Sequence, residues 1–213
     1  MKYATIIVFF ACIAGLSAIQ LKCAHQDLDI PKEWIDMNNV CVNRMRQQIE
    51  DELKASMQYL AMGAHFSRDT VNRPGFADLF FKAASEEREH AIKLISYLLM
   101  RGELTSSVSD LIKRNLSPPI TSWDSGVSAL KDALKLEATV TKKIRDVIRV
   151  CEDATNYNDY HLVDYLTGDF LEEQYHGQRD IAGKVSNLEK LMASHGKLGE
   201  WLFDKKLQGL DIV

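Results

Sequence analysis

The stretch Phe76-Ala-Asp-Leu-Phe80-Phe-Lys-Ala83-Ala-Ser-Glu-Glu87-Arg-Glu-His90-Ala-Ile-Lys-Leu94-Ile-Ser-Tyr97 decides the fold. Alternating steps of four and three residues pick out Phe76, Phe80, Ala83, Glu87, His90, Leu94 and Tyr97, which is the spacing of one helix face. That face is apolar except at Glu87 and His90, which lie three apart and therefore project to the same side. Asn72 is a candidate cap and Pro74 a first-turn residue needing no amide proton, while Gly102 is a stop signal. The pattern predicts a helix over 74–101.

Upstream, an extended arm containing Pro31 leads to a helical period over 37–66, with Met45, Ile49, Ser56, Leu60 and Gly63 on one stripe. Downstream, about 21 residues with Ser106, Ser107, Ser109 and Pro118-Pro119 lack the apolar period and exceed a tight helix hairpin. Asp124 can cap a third helix ending at Cys151. A polar turn, Glu152 to Asp159, precedes a fourth from Tyr160 to Glu189, and a short fifth covers Lys197 to Lys206.

Four helices of nearly 30 residues make a bundle, and the long second connection lets the chain travel its length, so helices two and three run parallel. The first is antiparallel to both. Its start therefore lies beside the third helix's end, where Cys41 and Cys151 can meet.

The other inward rows also carry polar residues. Leu130, Ala133, Glu137, Val140, Ile144, Val147 and Cys151 align on the third helix, and Val163, Phe170, Gln174, Gly177, Ile181 and Val185 on the fourth. Met45, Glu52, Tyr59 and Phe66 recur every seven residues on the first. Glu52, Glu87, Glu137 and Gln174 each lie roughly 13 to 15 residues into their helices, about 20 Å along at 1.5 Å per residue. They share one level. Three carboxylates buried together repel one another and lose hydration, a cost that a bound cation relieves. Glu and His from facing helices, including a Glu-x-x-His pair, are the ligands of di-iron and di-manganese bundles, and hard oxygens with one imidazole argue against structural zinc. A symmetric site would repeat that pair on the fourth helix, where Gln174 and Gly177 stand instead. One tight and one leaky metal position is the expectation.

The whole chain has 213 residues, 46% hydrophobic and 26% charged, with a formal net charge of −4. That suits one domain, and acids interspersed with bases leave no basic stripe for nucleic acid. Lys2 precedes an uncharged run from Tyr3 to Gln20 that ends in Ser17 and Ala18, the pattern of a secretory signal peptide cut near residue 18. An uncleaved membrane anchor is the alternative, disfavoured because the run falls short of the ~20 residues of a span. Cys12 leaves with the signal. Cys23, Cys41 and Cys151 remain, and with Cys41 and Cys151 paired within the chain, Cys23 is the candidate for an interchain bond. The expected organisation is a signal over 1–18, an arm over 19–36, a bundle with its fifth helix over 37–207, and a tail over 208–213. His25, His65, His161, His176 and His195 lie off the shared level and read as surface or capping residues. Asn115-Leu-Ser117, followed by Pro118, is a glycosylation sequon on the crossover.

The segments Glu52-Leu-Lys-Ala-Ser-Met-Gln-Tyr59-Leu, Glu86-Glu-Arg-Glu-His90-Ala, Leu136-Glu137 and Phe170-Leu-Glu-Glu-Gln174 resemble the active segments of ferritin heavy-type chains. The resemblance runs from about Met37 to Leu207. The signal, arm and cysteines, with Arg73-Pro-Gly-Phe76 and His161-Leu-Val-Asp-Tyr165-Leu-Thr-Gly, are more narrowly similar to the secreted heavy-chain homologue of insects. This implies an all-α, ferritin-like bundle and a ferroxidase oxidising Fe(II) to Fe(III) with oxygen at two irons per subunit. Glu52 and His90 would bind one iron, Glu87 would bridge, and Glu137 would bind the second with Gln174 beside it. Tyr59 would hydrogen-bond from outside or donate an electron. Glu86 and Glu89 resemble residues leading to the mineral cavity, whose third acidic position is Ile92 here. Asp164 matches one acidic position of the iron channel, Thr167 replaces a second, and Asp169 is near. Trp201, Leu202 and Phe203 resemble the segment at a cage's fourfold axis. The implied assembly is a cage of 24 subunits shared with a light-chain-type partner linked through Cys23, in the secretory pathway and extracellular fluid. Two other readings remain: a light-type cage subunit without oxidase activity, disfavoured by the full ligand set, and a secreted signalling bundle, which gives no reason for three glutamates at one level.

Overall fold

The computed structural model describes residues 29–104, 111–152 and 158–209. The signal segment, Cys23, the loop serines and the last four residues lie outside the described residues. A 3-10 turn, Lys32–Trp34, interrupts the arm that the sequence suggests is extended. Four long helices follow: α1 (Asn39–Ser67), α2 (Pro74–Met100), α3 (Gly126–Glu152), and α4, which starts at Tyr160, passes through a π-helical turn at Leu166–Leu171 and ends at His195. The short α5 spans Lys197–Leu207. α1 packs on α2 and α3, α3 on α4, and α5 on both α4 and α2. No strand occurs among the described residues.

The expected rows face inward, with two corrections. Leu60 is 39% exposed, because α1's buried face turns toward Tyr59 and Met62 at that height. On α4, Leu162 is buried and Val163 only partly so. The π-helical turn is the reason: Leu162, Leu166, Phe170 and Gln174 are all buried at steps of four, which an ordinary α-helix would rotate off the core. The insertion brings one residue more into the turn and shifts the face by one. The fourth helix also runs six residues beyond the expected Glu189, to His195, and Gly196 with φ +56 ends it.

Capping differs too. Asn72 sits at φ +48 and caps nothing. The start of α2 is instead closed from α5, where Asp204 Oδ1 accepts from the Phe76 amide at 3.1 Å. At α3 the cap is Ser125 rather than Asp124. Its Oγ accepts from Ser128 N and Ser128 Oγ accepts from Ser125 N, both at 3.2 Å, while Glu200 accepts from Gly126 N at 2.8 Å. A β-carbon at Gly75 would lie 2.1 Å from the Asp204 backbone oxygen, so α2 and α5 meet backbone to backbone there. Gly75→Ala should lower stability by about 1–3 kcal/mol and loosen α5, read as a lower thermal midpoint and faster proteolysis near Leu207.

Cys41 and Cys151 form a disulfide, Cα–Cα 5.1 Å, at the end of the bundle where antiparallel α1 and α3 bring them together. The crossover is pinned along α1. Glu50 accepts from Lys113 N and Arg114 N and pairs with the Arg114 guanidinium; Asp51 pairs with Arg114 and Lys143, each at 2.9 Å. These partners explain why Glu50 and Asp51 are buried although they are off the apolar stripe. Asn115 is exposed and its side chain accepts from Ser117 N.

Candidate metal centre

The core is two apolar clusters. One holds Met45, Ile49, Leu94, Ile144 and the disulfide; the other holds Tyr59, Phe66, Phe76, Phe80 and Leu130. Between them on the four helices lie Glu52, Glu87, Glu137 and Gln174, all buried. A cavity of about 260 Å³ opens at this level, lined by Tyr59, Glu86, Glu87, His90, Glu137 and Gln174 among others. Its walls include Ala83 on α2 and Gly177 on α4, and a β-carbon added at Gly177 would meet nothing within 4 Å, so these positions leave open space at this level.

One ligand atom each from Glu52, Glu87 and His90 lie within 4.8 Å of one another, close enough to share a single ion. Glu52 Oε2, Glu87 Oε2 and His90 Nδ1 are buried and hydrogen-bond to nothing among the described residues. Three buried acceptors without a hydrogen bond, His90 Nδ1 standing 3.6 Å from Glu87 Oε2, are what a cation would satisfy. Burial pushes the Glu52 carboxyl well above the usual carboxylate range, and the Glu87 charge pushes it further. Glu87 is raised by burial and then by the Glu137 charge. The Tyr59 hydroxyl is raised by burial and by Glu137, to which it donates at 2.5 Å.

These shifts fix a pH dependence. A carboxyl whose folded pKa is raised holds its proton in the fold after the unfolded chain has lost it. Its contribution is therefore full below the unfolded value, near 4.5, and drains away as pH rises toward the folded value. Metal-free protein should melt at falling temperatures as pH rises above about 5, and Glu52→Gln with Glu87→Gln should flatten that slope. A slope identical in the double variant would show that these carboxyls do not carry it.

The structure also separates what the sequence grouped. Glu137 and Gln174 line the cavity but stand outside the tight group of three. Glu86 reaches the rim, paired with Lys82 at 3.7 Å. Glu89 is exposed and Asp164 lies on the exposed side of α4, both away from the cavity lining.

The chain matches the family described as ferritin, ferritin-like domain, over residues 42–191. It belongs to the ferritin family. It is 62% identical to the ferritin heavy chain of Trichoplusia ni over 98% of this chain and 99% of that one, and 58% identical to that of Drosophila melanogaster over 87% and 90%. The crystal structure of Trichoplusia ni secreted ferritin superposes with a TM-score of 0.85 at 64% identity, covering 90% of this chain and all of that one.

Several residues around this ferritin's cavity escaped the sequence reading. Glu173 Oε2 lies 3.3 Å from His90 Nε2, reaching from α4 to α2. Gln48 Nε2 donates to Glu52 Oε1 at 2.8 Å, and Thr141 and Gln178 contact Gln174. Gln48, Thr141 and Gln178 each sit four residues from a row residue, Glu52, Glu137 and Gln174, so helical neighbours of the polar row carried the signal. His65, expected at the surface or a cap, is buried between Phe66 and Trp123 with Arg68 on Nδ1. His161 packs its ring at a tilt against Tyr97 and bonds its hydroxyl at 2.8 Å.

Proposed function

We propose that this subunit of an iron-storage ferritin is a ferroxidase, oxidising Fe(II) to Fe(III) with oxygen at a two-iron centre, the product being deposited as ferric mineral inside a cage. The observation that carries it is the convergence of unpartnered Glu52, Glu87 and His90 atoms beside a cavity that Glu137 and Gln174 also line. Glu52 and His90 hold one iron, Glu87 bridges, and Glu137 with Gln174 holds the second. Each iron gives one electron to a shared oxygen molecule, and the bridging carboxylate keeps both within reach of it. Tyr59, bonded to Glu137, orients that carboxylate. With a neutral amide and Gly177 in place of a second Glu-x-x-His pair, the second iron is held by fewer charges and leaves more readily.

The same reading covers the rest of the chain. Residues 1–18 are a cleaved signal, 19–36 an arm, 37–207 the bundle and fifth helix, and 208–213 a tail. The subunit is secreted, as the matched Trichoplusia ni ferritin is, and no helix among the described residues is long and apolar enough to cross a membrane. Cys23 links it to a light-chain-type subunit in a cage of 24, Asp164 lines an admission channel, and Glu86 and Glu89 lead product toward the mineral. Anaerobic Fe(II) titration of the metal-free particle tests the centre: two ions per subunit, one tight and one weak, are expected, and two equally tight ions would contradict the asymmetry.

A further inference from the structure

Gln174 is held by a hydroxyl. Thr141 Oγ1 on α3 lies 2.8 Å from Gln174 Oε1, 2.8 Å from the Glu137 carbonyl oxygen and 2.7 Å from Gln178 Nε2. The Nε2 of Gln178 can only donate, so it takes one lone pair of the hydroxyl, and it also reaches the Gln174 carbonyl at 3.2 Å. The hydroxyl has one proton, and two oxygens stand at bonding distance from it. With that proton on Gln174 Oε1, the glutamine's oxygen is turned to Thr141. With it on the Glu137 carbonyl, the second lone pair of Thr141 is free to accept from an NH₂ group. The side-chain amide of Gln174 can then be reversed without loss of a hydrogen bond. Only the reversed amide offers the cavity an oxygen, and a neutral amide nitrogen is a poor ligand for a hard cation.

We infer that Thr141 is a positioning residue for the second metal: moving its one proton between Gln174 Oε1 and the Glu137 carbonyl lets the Gln174 amide turn over and present its oxygen to a cation beside Glu137. Gln178 fixes the Thr141 rotamer from α4. A carboxylate at position 141 could only accept and would hold one orientation; a hydroxyl with an alternative acceptor accommodates both. Valine there keeps the shape and removes the hydroxyl that Gln174, the Glu137 carbonyl and Gln178 share, stranding the reversed NH₂ in a buried site.

The inference rests on the two-metal reading above, and the test separates them. Metal-free assembled particles are titrated calorimetrically with Zn(II), which has no redox chemistry. Two steps are expected in the unaltered protein. In Thr141→Val the weaker step should lose about tenfold in affinity while the tighter step stays put, and Thr141→Ser should restore it. A weaker step unchanged in Thr141→Val, equal weakening of both steps, or no restoration by serine would overturn the role of Thr141 and leave the centre standing. Absence of a second step in the unaltered protein would overturn the two-metal reading itself.

Discussion

Replacing Glu87 and His90 together by alanine is expected to slow Fe(II) oxidation by about a hundredfold or more, because it removes the bridge and the one imidazole from the group of three. The same change should leave the metal-free fold intact. Glu87 is a buried carboxyl whose Oε2 makes no hydrogen bond, so its removal takes away a poorly solvated group rather than a bond that holds the fold. His90 gives up its 3.3 Å contact with Glu173, a half-exposed carboxylate that water can solvate, and its 3.6 Å contact with Glu87, which leaves in the same variant. Stopped-flow absorbance of the assembled variant after mixing with Fe(II) and oxygen reads the first expectation, and a thermal melt of the metal-free variant reads the second. Oxidation at the unaltered rate would place the chemistry elsewhere. A collapse of the metal-free melt would mean that the cluster holds the bundle together, which its electrostatics contradict.

Cys41→Ala with Cys151→Ala should cost about 4–5 kcal/mol of stability. The bridge closes a loop of sequence separation 110, and cross-linking a loop of that length removes much of the freedom of the unfolded chain. Both sulfurs are also fully buried among Met45, Val147 and Leu162, so alanine leaves unfilled volume there. The bridge ties the first turn of α1 to the last of α3, near Asp159, whose amide bonds the Cys151 carbonyl at 3.1 Å and whose carboxylate holds Arg101 at 2.9 Å. Denaturant midpoints of the double variant and of the reduced, unaltered chain should fall together. A loss below about 1 kcal/mol in both would mean that the unfolded chain is already compact enough to need no tether.

How far the sequence showed this architecture follows from where the period was regular. α2 and α3 hold one face without interruption, so Phe76 to Tyr97 and Leu130 to Cys151 were readable as rows, and the level shared by Glu87 and Glu137 came with them. α4 was less legible. Its π-helical turn breaks the period at Leu166–Leu171, which is why Val163 was placed where Leu162 packs, while Gln174, beyond the turn, fell in line. The helix starts were read correctly, but their caps were not, for a different reason. Asp204 and Glu200, more than seventy residues away from the α2 and α3 termini in sequence, supply carboxylates that local cap signals at Asn72 and Asp124 cannot reveal. Burial of Glu50 and Asp51 was hidden likewise, since Arg114 and Lys143 reach them from other parts of the chain. Depth along a helix can be counted from sequence; partners brought by tertiary packing cannot.

The proposed function requires Glu87 to bridge two metal positions. Anomalous diffraction from crystals of the assembled protein soaked in Zn(II) tests it most directly. Two peaks per subunit are expected, both in contact with Glu87, one also with Glu52 and His90 and the other with Glu137 at lower occupancy. A single peak on Glu52, Glu87 and His90, or peaks only at the exposed acids of α2 and α4, would contradict it.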